Sequence, residues 1–377
     1  MTTHRSTNPS RDQQTTTLSG RETIPASVTA NTRAGRFRTF HAALAARDTA
    51  PIDLLHIGDS ITTGAQATAM NKRWIGRVRD MLRVQYQPAG VAGGIGYVQI
   101  ASTYNNPWTV TGMTAWADTN PGIGQGARAL PVGATAVMTF TGTAIDVFYT
   151  KSSGAKSFTI SIDGASSGPG FLTVDAANAT EVNGAVATIS GLSAGSHTVT
   201  ITGVTGTTFI EGAFIYNGDE TRGIRSWDGG RSGIASNGYT ANTKYLGAIS
   251  AIQPDLVTVM LGVNNYRQSI GIQLLCANLV QIVQDVWAKC TVQPSTLLIV
   301  PYEAAPGTAA LPWRMYVKAV YDAAAILGCD VLDLNEKFGP SIQTQPLGLL
   351  DADLVHPSDV GYQFIADEVV GRITPGR

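Results

Sequence analysis

The stretch Leu54-Leu55-His56-Ile57-Gly58-Asp59-Ser60-Ile61-Thr62-Thr63-Gly64 decides how the rest of the chain is read. An apolar run this short, closed by Gly and Asp, predicts a buried strand that breaks into a turn with Ser60 at its carboxyl end. Open α/β sheets bind their ligands at that edge. A serine hydroxyl is a nucleophile at neutral pH only when a base takes its proton and donors receive the oxyanion. By itself a Gly-Asp-Ser turn is more often structural than catalytic, so the weight falls on what else the chain supplies.

Outward from this strand, Trp74, Ile75, Val78, Met81 and Leu82 share one helical face, with Arg77, Arg79 and Asp80 opposite. That is the crossover helix expected after a first parallel strand. Phe37, Phe40, Ala43 and Leu44 recur at helical spacing before it. Further on, apolar strands at 255–262, 296–300 and 330–334 alternate with helical patterns at 272–288, 314–327 and 360–372. Strand and helix in alternation predict a parallel sheet covered by helices on both faces. Between them the texture changes. Short β-branched runs at 137–149, 157–163, 186–189 and 198–201, separated by Gly-rich turns, predict an inserted antiparallel β-sandwich of jelly-roll type. The expected division is an arm over 1–32, an α/β domain over 33–103 and 223–377, and the insert over 104–222. The arm has no hydrophobic periodicity and is expected to be flexible or held by a partner.

Composition excludes several classes. A net charge of −1 with only 14% charged residues argues against nucleic acid as a partner. No run of about 18 apolar residues predicts a membrane span, and the first residues lack the apolar core of a secretory signal. Cys276, Cys290 and Cys329 lie in apolar surroundings without CxxC spacing, which predicts buried free thiols rather than a zinc site or disulfides. The 41 glycines, with abundant Ser, Thr and Ala, fit the turn-rich β structure of extracellular or virion proteins.

Five histidines are candidates for the base. His4 lies in the arm, His41 on the early helix, His56 inside the strand as a core residue, and His197 in an insert strand. His356 stands in Asp351-Ala352-Asp353-Leu354-Val355-His356-Pro357-Ser358-Asp359. Pro357 keeps His356 out of a helix, and Ser358 or Asp359 can cap the helix that follows. Asp353 can fold back to accept the other imidazole N–H, fixing the tautomer.

Gly58-Asp59-Ser60, Gly262-Val263-Asn264-Asn265 and Asp353-Leu354-Val355-His356-Pro357, in this order, resemble the SGNH (GDSL-type) hydrolase superfamily over about 50–100 and 223–377. The resemblance implies a flavodoxin-like three-layer α/β fold and serine acyl transfer with neither metal nor cofactor. It implies Ser60 as nucleophile, His356 as base, Asp353 as orienting acid, and an oxyanion hole from the Ser60 N–H, a glycine N–H and the Asn264 side chain. Gly229-Gly230-Arg231-Ser232-Gly233-Ile234-Ala235 resembles the second block and points to Gly233, with Gly93, Gly94 and Gly96 as the alternative. The third block usually ends in Asp; Asn265 is expected to affect loop support rather than chemistry.

The resulting expectation is a serine esterase, an O-deacetylase of an acetylated carbohydrate polymer, because β-sandwiches beside such domains often bind glycans. Few apolar residues near the motifs could form a lid or acyl tunnel, which favours short acyl groups. The alternatives are a lipid or other short-chain ester hydrolase, and a glycan-binding protein with a vestigial hydrolase domain. A weaker resemblance to phage tail-associated proteins implies an extracellular or virion location, with virion or homo-oligomer assembly through the arm. Trp108, Trp116 and Trp227 are candidates for stacking on sugars, with burial in a sandwich as the plain alternative. Gly164-Ala165-Ser166-Ser167-Gly168 matches G-x-S-x-G formally but lacks the following helix and reads as a hairpin turn. Gly122 to Ala127 mimics a dinucleotide loop without the preceding strand.

Overall fold

The computed structural model describes residues 35–115, 121–124 and 126–375. The arm over 1–32, His4 and Trp116 lie outside the described residues. Helix α1 (Arg38–Ala45) buries Phe40 and Leu44. Strand β1 (Pro51–Gly58) is buried almost throughout, as a central parallel strand must be. A single helical turn, α2 (Ser60–Thr63), follows, ended by Gly64 at φ 88°. Helix α3 (Trp74–Tyr86) is the crossover.

The chain then enters eleven strands: β2 (Gly96–Gln99), β3 (Thr109–Thr111), β4 (Thr114–Ala115), β5 (Arg128–Leu130), β6 (Thr135–Gly142), β7 (Ala144–Lys151), β8 (Ser157–Ile162), β9 (Phe171–Asp175), β10 (Val182–Ile189), β11 (Gly195–Thr205) and β12 (Thr208–Tyr216). One sheet runs β10-β7-β12-β5-β4 with β2 also on β12, and the other runs β3-β6-β11-β8-β9. Both feed one core, in which Val98, Val147 and Ile210 from the first join Phe158, Ile160 and Val199 from the second. The segment 164–170 is the turn between the antiparallel strands β8 and β9.

The α/β part resumes with β13 (Gly223–Gly230), β14 (Leu256–Met260), α4 (Val263–Arg267), α5 (Ile272–Ala288), β15 (Ser295–Val300), α6 (Trp313–Leu327), β16 (Asp330–Asp333) and α7 (Asp359–Ile373). Its sheet has the order β13-β1-β14-β15-β16, with every neighbouring pair parallel. Counted along this part alone the order is 2-1-3-4-5, the flavodoxin-like arrangement. Helix α3 packs on α7 and α5 on α6, which completes three layers.

Four details differ from the sequence expectation. The inserted sheets take in β2, upstream of residue 104, because β2 pairs with β12. The run 137–149 is two strands in different sheets. The chain crosses at Gly142, where a Cβ would stand 2.4 Å from the Tyr216 carbonyl oxygen. Arg79, expected on the exposed face of α3, is buried, because the stem of the insert covers it and the Ile95 carbonyl accepts from its Nη1 at 2.5 Å. All three thiols are free, but only Cys329 is fully buried, while Cys276 and Cys290 are half-buried. Burial pushes Cys290 up to about 11 and Cys329 up to about 12. Among the described residues no helix is long and apolar enough to cross a membrane.

Candidate active site

Strand β1 delivers Ser60 to the carboxyl edge of the sheet through a turn that leaves no room at Gly58, where a Cβ would lie 2.1 Å from Thr62 Oγ1. Asp59 Oδ1 accepts the Ile61 N–H at 3.0 Å and so caps the turn of α2. Ser60 Oγ then lies 2.9 Å from His356 Nε2. On the far side of the imidazole, Nδ1 is 2.6 Å from Asp353 Oδ2.

The loop that carries His356 is fixed by its own backbone. Asp353 Oδ1 accepts from the N–H groups of Val355 and His356, each at 2.9 Å, which closes a turn with Leu354 at φ 57°. Tyr302 donates its hydroxyl to the Val355 carbonyl at 2.6 Å, and the Ala305 N–H donates to Leu354 O. Ser358 Oγ accepts from Val360 N and Gly361 N and starts α7. Burial works to raise the Asp353 pKa. The His356 N–H, the imidazole and the Val355 N–H outweigh it and hold the carboxylate below its usual range.

Opposite the histidine, Asn264 stands on the first turn of α4. Its Nδ2 donates to the Ile234 carbonyl at 2.9 Å and, more weakly, to Asp59 Oδ2 at 3.3 Å. Gly233 has φ 74° and open space where a side chain would be, in a loop anchored by the Arg231 N–H on Gly58 O at 2.8 Å. The structure thus brings the Gly233 loop beside Asn264. Gly94 and Gly96 are built instead into the junction of α3, β12 and β13, against Ile215 O and Ser226 O, and Gly93 packs on Arg83. Asn265 is buried; its Oδ1 accepts the Ser236 N–H at 3.0 Å and its Nδ2 donates to Ser236 Oγ at 2.9 Å. It therefore ties the third block to the loop that carries Gly233. Burial pushes Asp59, between Ser60 and Asn264, up to about 7, against the opposing Ile61 N–H.

Beneath the Ser60 turn lies a buried polar cluster with no signature in the sequence. Arg73 Nη1 donates to Asp228 Oδ2 at 2.6 Å and to the Thr63 carbonyl at 3.3 Å. Gln99 Nε2 donates to Asp228 O at 2.9 Å, to Asp228 Oδ1 at 3.1 Å and to Gly230 O at 2.8 Å. The first strand of the insert and the end of β13 are thereby pinned to α2. Asp228→Asn leaves Arg73 as a buried charge without its counter-ion, so the loss in stability should be about 3–5 kcal/mol in chemical denaturation. A loss under ~1 kcal/mol would mean that the pair is solvated in solution.

His56, expected as a core histidine, is fully buried with Nδ1 on Thr258 Oγ1 at 2.9 Å. Burial first, and Arg73 second, push it down to about 3, so it stays neutral. His41 bonds to Ile373 O and His197 pairs with Asp163, both away from Ser60. Trp108 and Trp227 are only 6% and 3% exposed. Trp227 packs on Phe214 and Tyr97 and donates Nε1 to Asp53, so both rings belong to cores and neither offers a face to a sugar.

A hydroxyl, an imidazole and a carboxylate in hydrogen-bonded series, at the ligand-binding edge of a 2-1-3-4-5 sheet, form an arrangement suited to nucleophilic acyl transfer. Residues 214–364 match the GDSL-like Lipase/Acylhydrolase family. The match includes Gly233, Asn264, Asp353 and His356; Ser60 lies before it. No match is found among curated proteins. A solved structure described as a peptidoglycan O-acetylesterase shares the fold with TM-score 0.68 at 16% identity, over 89% of this chain and 94% of that one. A family two carbohydrate esterase from Clostridium thermocellum aligns over 70% of this chain and 98% of its own, at 15% identity and TM-score 0.30. A lipase/acylhydrolase from Enterococcus faecalis aligns over 41% and 80%, at 22% identity and TM-score 0.33.

Proposed function

We propose that this protein is a serine O-deacetylase of an acetylated carbohydrate polymer. The observation that carries the reading is the unbroken series from Ser60 Oγ through His356 to Asp353. In this reading His356 Nε2 takes the Ser60 proton as Oγ bonds to the acetyl carbonyl carbon. The carbonyl electron pair moves onto oxygen, where the N–H groups of Ser60 and Gly233 and the Asn264 amide receive it. Collapse expels the sugar oxygen, which takes the proton from the imidazolium and leaves an acetyl-Ser60. Water, activated by the same imidazole, then releases acetate and restores Ser60. Asp353 keeps Nδ1 protonated, so that Nε2 is the free base at the start, and stabilises the imidazolium.

Both amide hydrogens of Asn264 have acceptors in the free protein, Ile234 O at 2.9 Å and Asp59 at 3.3 Å. The longer bond is the one exchanged for the oxyanion. Asn264→Ala should therefore lower kcat by about 10² to 10³ with KM little changed. Asn265→Asp should do far less, since Ser236 can turn its hydroxyl toward the new carboxylate. Reversed effects would assign the donor to Asn265.

The carbohydrate part is supported by the fold shared along 89% of the chain with a structure described as a peptidoglycan O-acetylesterase. Acetate release from acetylated polysaccharides, measured beside a p-nitrophenyl ester chain-length series with and without EDTA, tests it. Expected are acetate release, a steep fall beyond short acyl groups, and indifference to EDTA. Preference for long acyl chains would make the protein a lipid esterase. Loss on chelation, restored by a divalent ion, would make it a metal-dependent deacetylase.

A further inference from the structure

The inserted sheets do deliver an aromatic ring to the Ser60 site, and it comes from a loop rather than from a tryptophan. Between β2 and β3, Asn106 Nδ2 donates to Ile100 O at 3.1 Å and to Ser102 O at 2.9 Å, while its Oδ1 accepts the Trp108 N–H at 3.1 Å. Ser102 Oγ donates to Tyr104 O at 3.1 Å, and the buried Trp108 anchors the loop's far end. Asn105, at φ 49°, reaches across to donate Nδ2 to the Ala67 carbonyl at 2.8 Å, in the segment just after the Ser60 turn. That segment is itself held, by Tyr362 donating its hydroxyl to Ala65 O at 2.6 Å. The loop is therefore preorganised on both sides. It sets the half-buried Tyr104 ring 6.4 Å, centroid to centroid, from the His356 imidazole at an interplanar angle of 52°.

The chemistry of the site says which part of a substrate meets that ring. The proton that His356 Nε2 takes from Ser60 goes to the leaving oxygen, so the alcohol half of the ester sits about 3 Å from Nε2. The developing oxyanion faces the other way, toward Asn264 and the Gly233 loop. A ring centred 6.4 Å from the imidazole is near enough for carbons attached to the leaving oxygen to reach the ~4–4.5 Å contact range. The face of that ring is electron-rich, and the C–H bonds of a pyranose are polarised by its oxygens. A flat sugar face loses little on stacking, since its hydroxyls point outward to water.

We infer that Tyr104 is a stacking platform for the sugar ring that carries the scissile acetate, so that the insert forms the leaving-group subsite. This rests on the O-deacetylase reading above and narrows its substrate to pyranosyl alcohols. It also gives the insert a part in specificity through one loop, whatever else its sheets bind.

Two measurements test it. The first is calorimetric binding of unacetylated oligosaccharides of β-linked glucose, xylose and N-acetylglucosamine to the Ser60→Ala protein, with and without Tyr104→Ala and Tyr104→Phe. At least one sugar should bind, with Kd about tenfold weaker in Tyr104→Ala and restored in Tyr104→Phe. No binding to any of the three, or an unchanged Kd in Tyr104→Ala, overturns the subsite whether or not the protein is an esterase. The second is kinetics with Ser60 intact, on an acetylated oligosaccharide and on ethyl acetate. Tyr104→Ala should raise KM about tenfold for the sugar ester and leave ethyl acetate within about twofold, with the pH profile unmoved. Equal loss on both esters would make Tyr104 a support for His356 instead. Binding as expected without hydrolysis of either ester by the wild type would overturn the esterase reading and keep the subsite.

Discussion

Ser60→Ala should lower kcat by about 10⁴ to 10⁶ while the protein melts where the wild type does. The side chain gives the fold little: its Oγ bonds to His356 Nε2, whereas the turn is held by the Ser60 carbonyl, which accepts from Gly64 N, Ala65 N and Thr63 Oγ1. Alanine keeps that carbonyl and the helical conformation. What it removes is the atom that, in the proposed mechanism, bonds to the acyl carbon. Asn264, the Gly233 loop and the substrate contacts remain, so the variant should keep a residual acceleration of about 10³ to 10⁴ over water. Initial rates on p-nitrophenyl acetate, with a thermal melt of the same preparation, decide it. A folded Ser60→Ala protein within tenfold of wild type would remove Ser60 from the mechanism.

The parts of this molecule that could be read from sequence are those whose partners are local or repetitive. Strands β14 and β15 are almost wholly apolar, and β1 largely so, because a parallel sheet buries both their faces, and α5 and α6 carry the helical period plainly. The Ser60 turn and the Asp353–His356 loop were legible for a related reason: glycine, proline and a carboxylate three residues before a histidine constrain the chain within a few positions. Strand β13 was not legible. Its sequence, Gly-Ile-Arg-Ser-Trp-Asp-Gly-Gly, sets charges inside a buried strand, and the opposite charges they pair with are Asp53 and Arg73, about 170 and 155 residues away in sequence. No local pattern encodes such pairings. Arg79 is hidden from the helical pattern for a nearer cause: the chain turns back after α3 and the Ile95 carbonyl, 16 residues on, covers it. Tyr104 sits in a Ser/Asn-rich loop with no periodicity at all. Its place beside His356 follows from Asn105 bonding to the Ala67 carbonyl, in a segment that only the tertiary structure brings near.

The second large effect is expected at Asp353. Asp353→Asn should lower kcat by about 10⁴ with the loop geometry preserved, by the logic of the wrong tautomer. Asparagine can keep the turn, because its Oδ1 can still accept from Val355 N and His356 N as Asp353 Oδ1 does. The other half of the side chain then presents an N–H pair to His356 Nδ1, where the carboxylate oxygen lay at 2.6 Å. Two donors cannot face each other, so Nδ1 becomes the acceptor and the ring proton moves to Nε2. Nε2 can no longer take a proton from Ser60. The stability effect has a definite sign. The native Asp353 pKa lies below the ordinary 3.8, so its carboxylate stabilises the fold above that value, and the benefit is lost as pH falls through the lower native value. Wild type should therefore melt above Asp353→Asn at pH 7, and the gap should close on acidification below the usual carboxylate range. Rates across pH 5 to 9 and melts at pH 7 and about pH 2.5 test both halves. Activity within tenfold of wild type would show that His356 is oriented without Asp353. A melting gap that widened in acid would show that the carboxylate is destabilising where it stands.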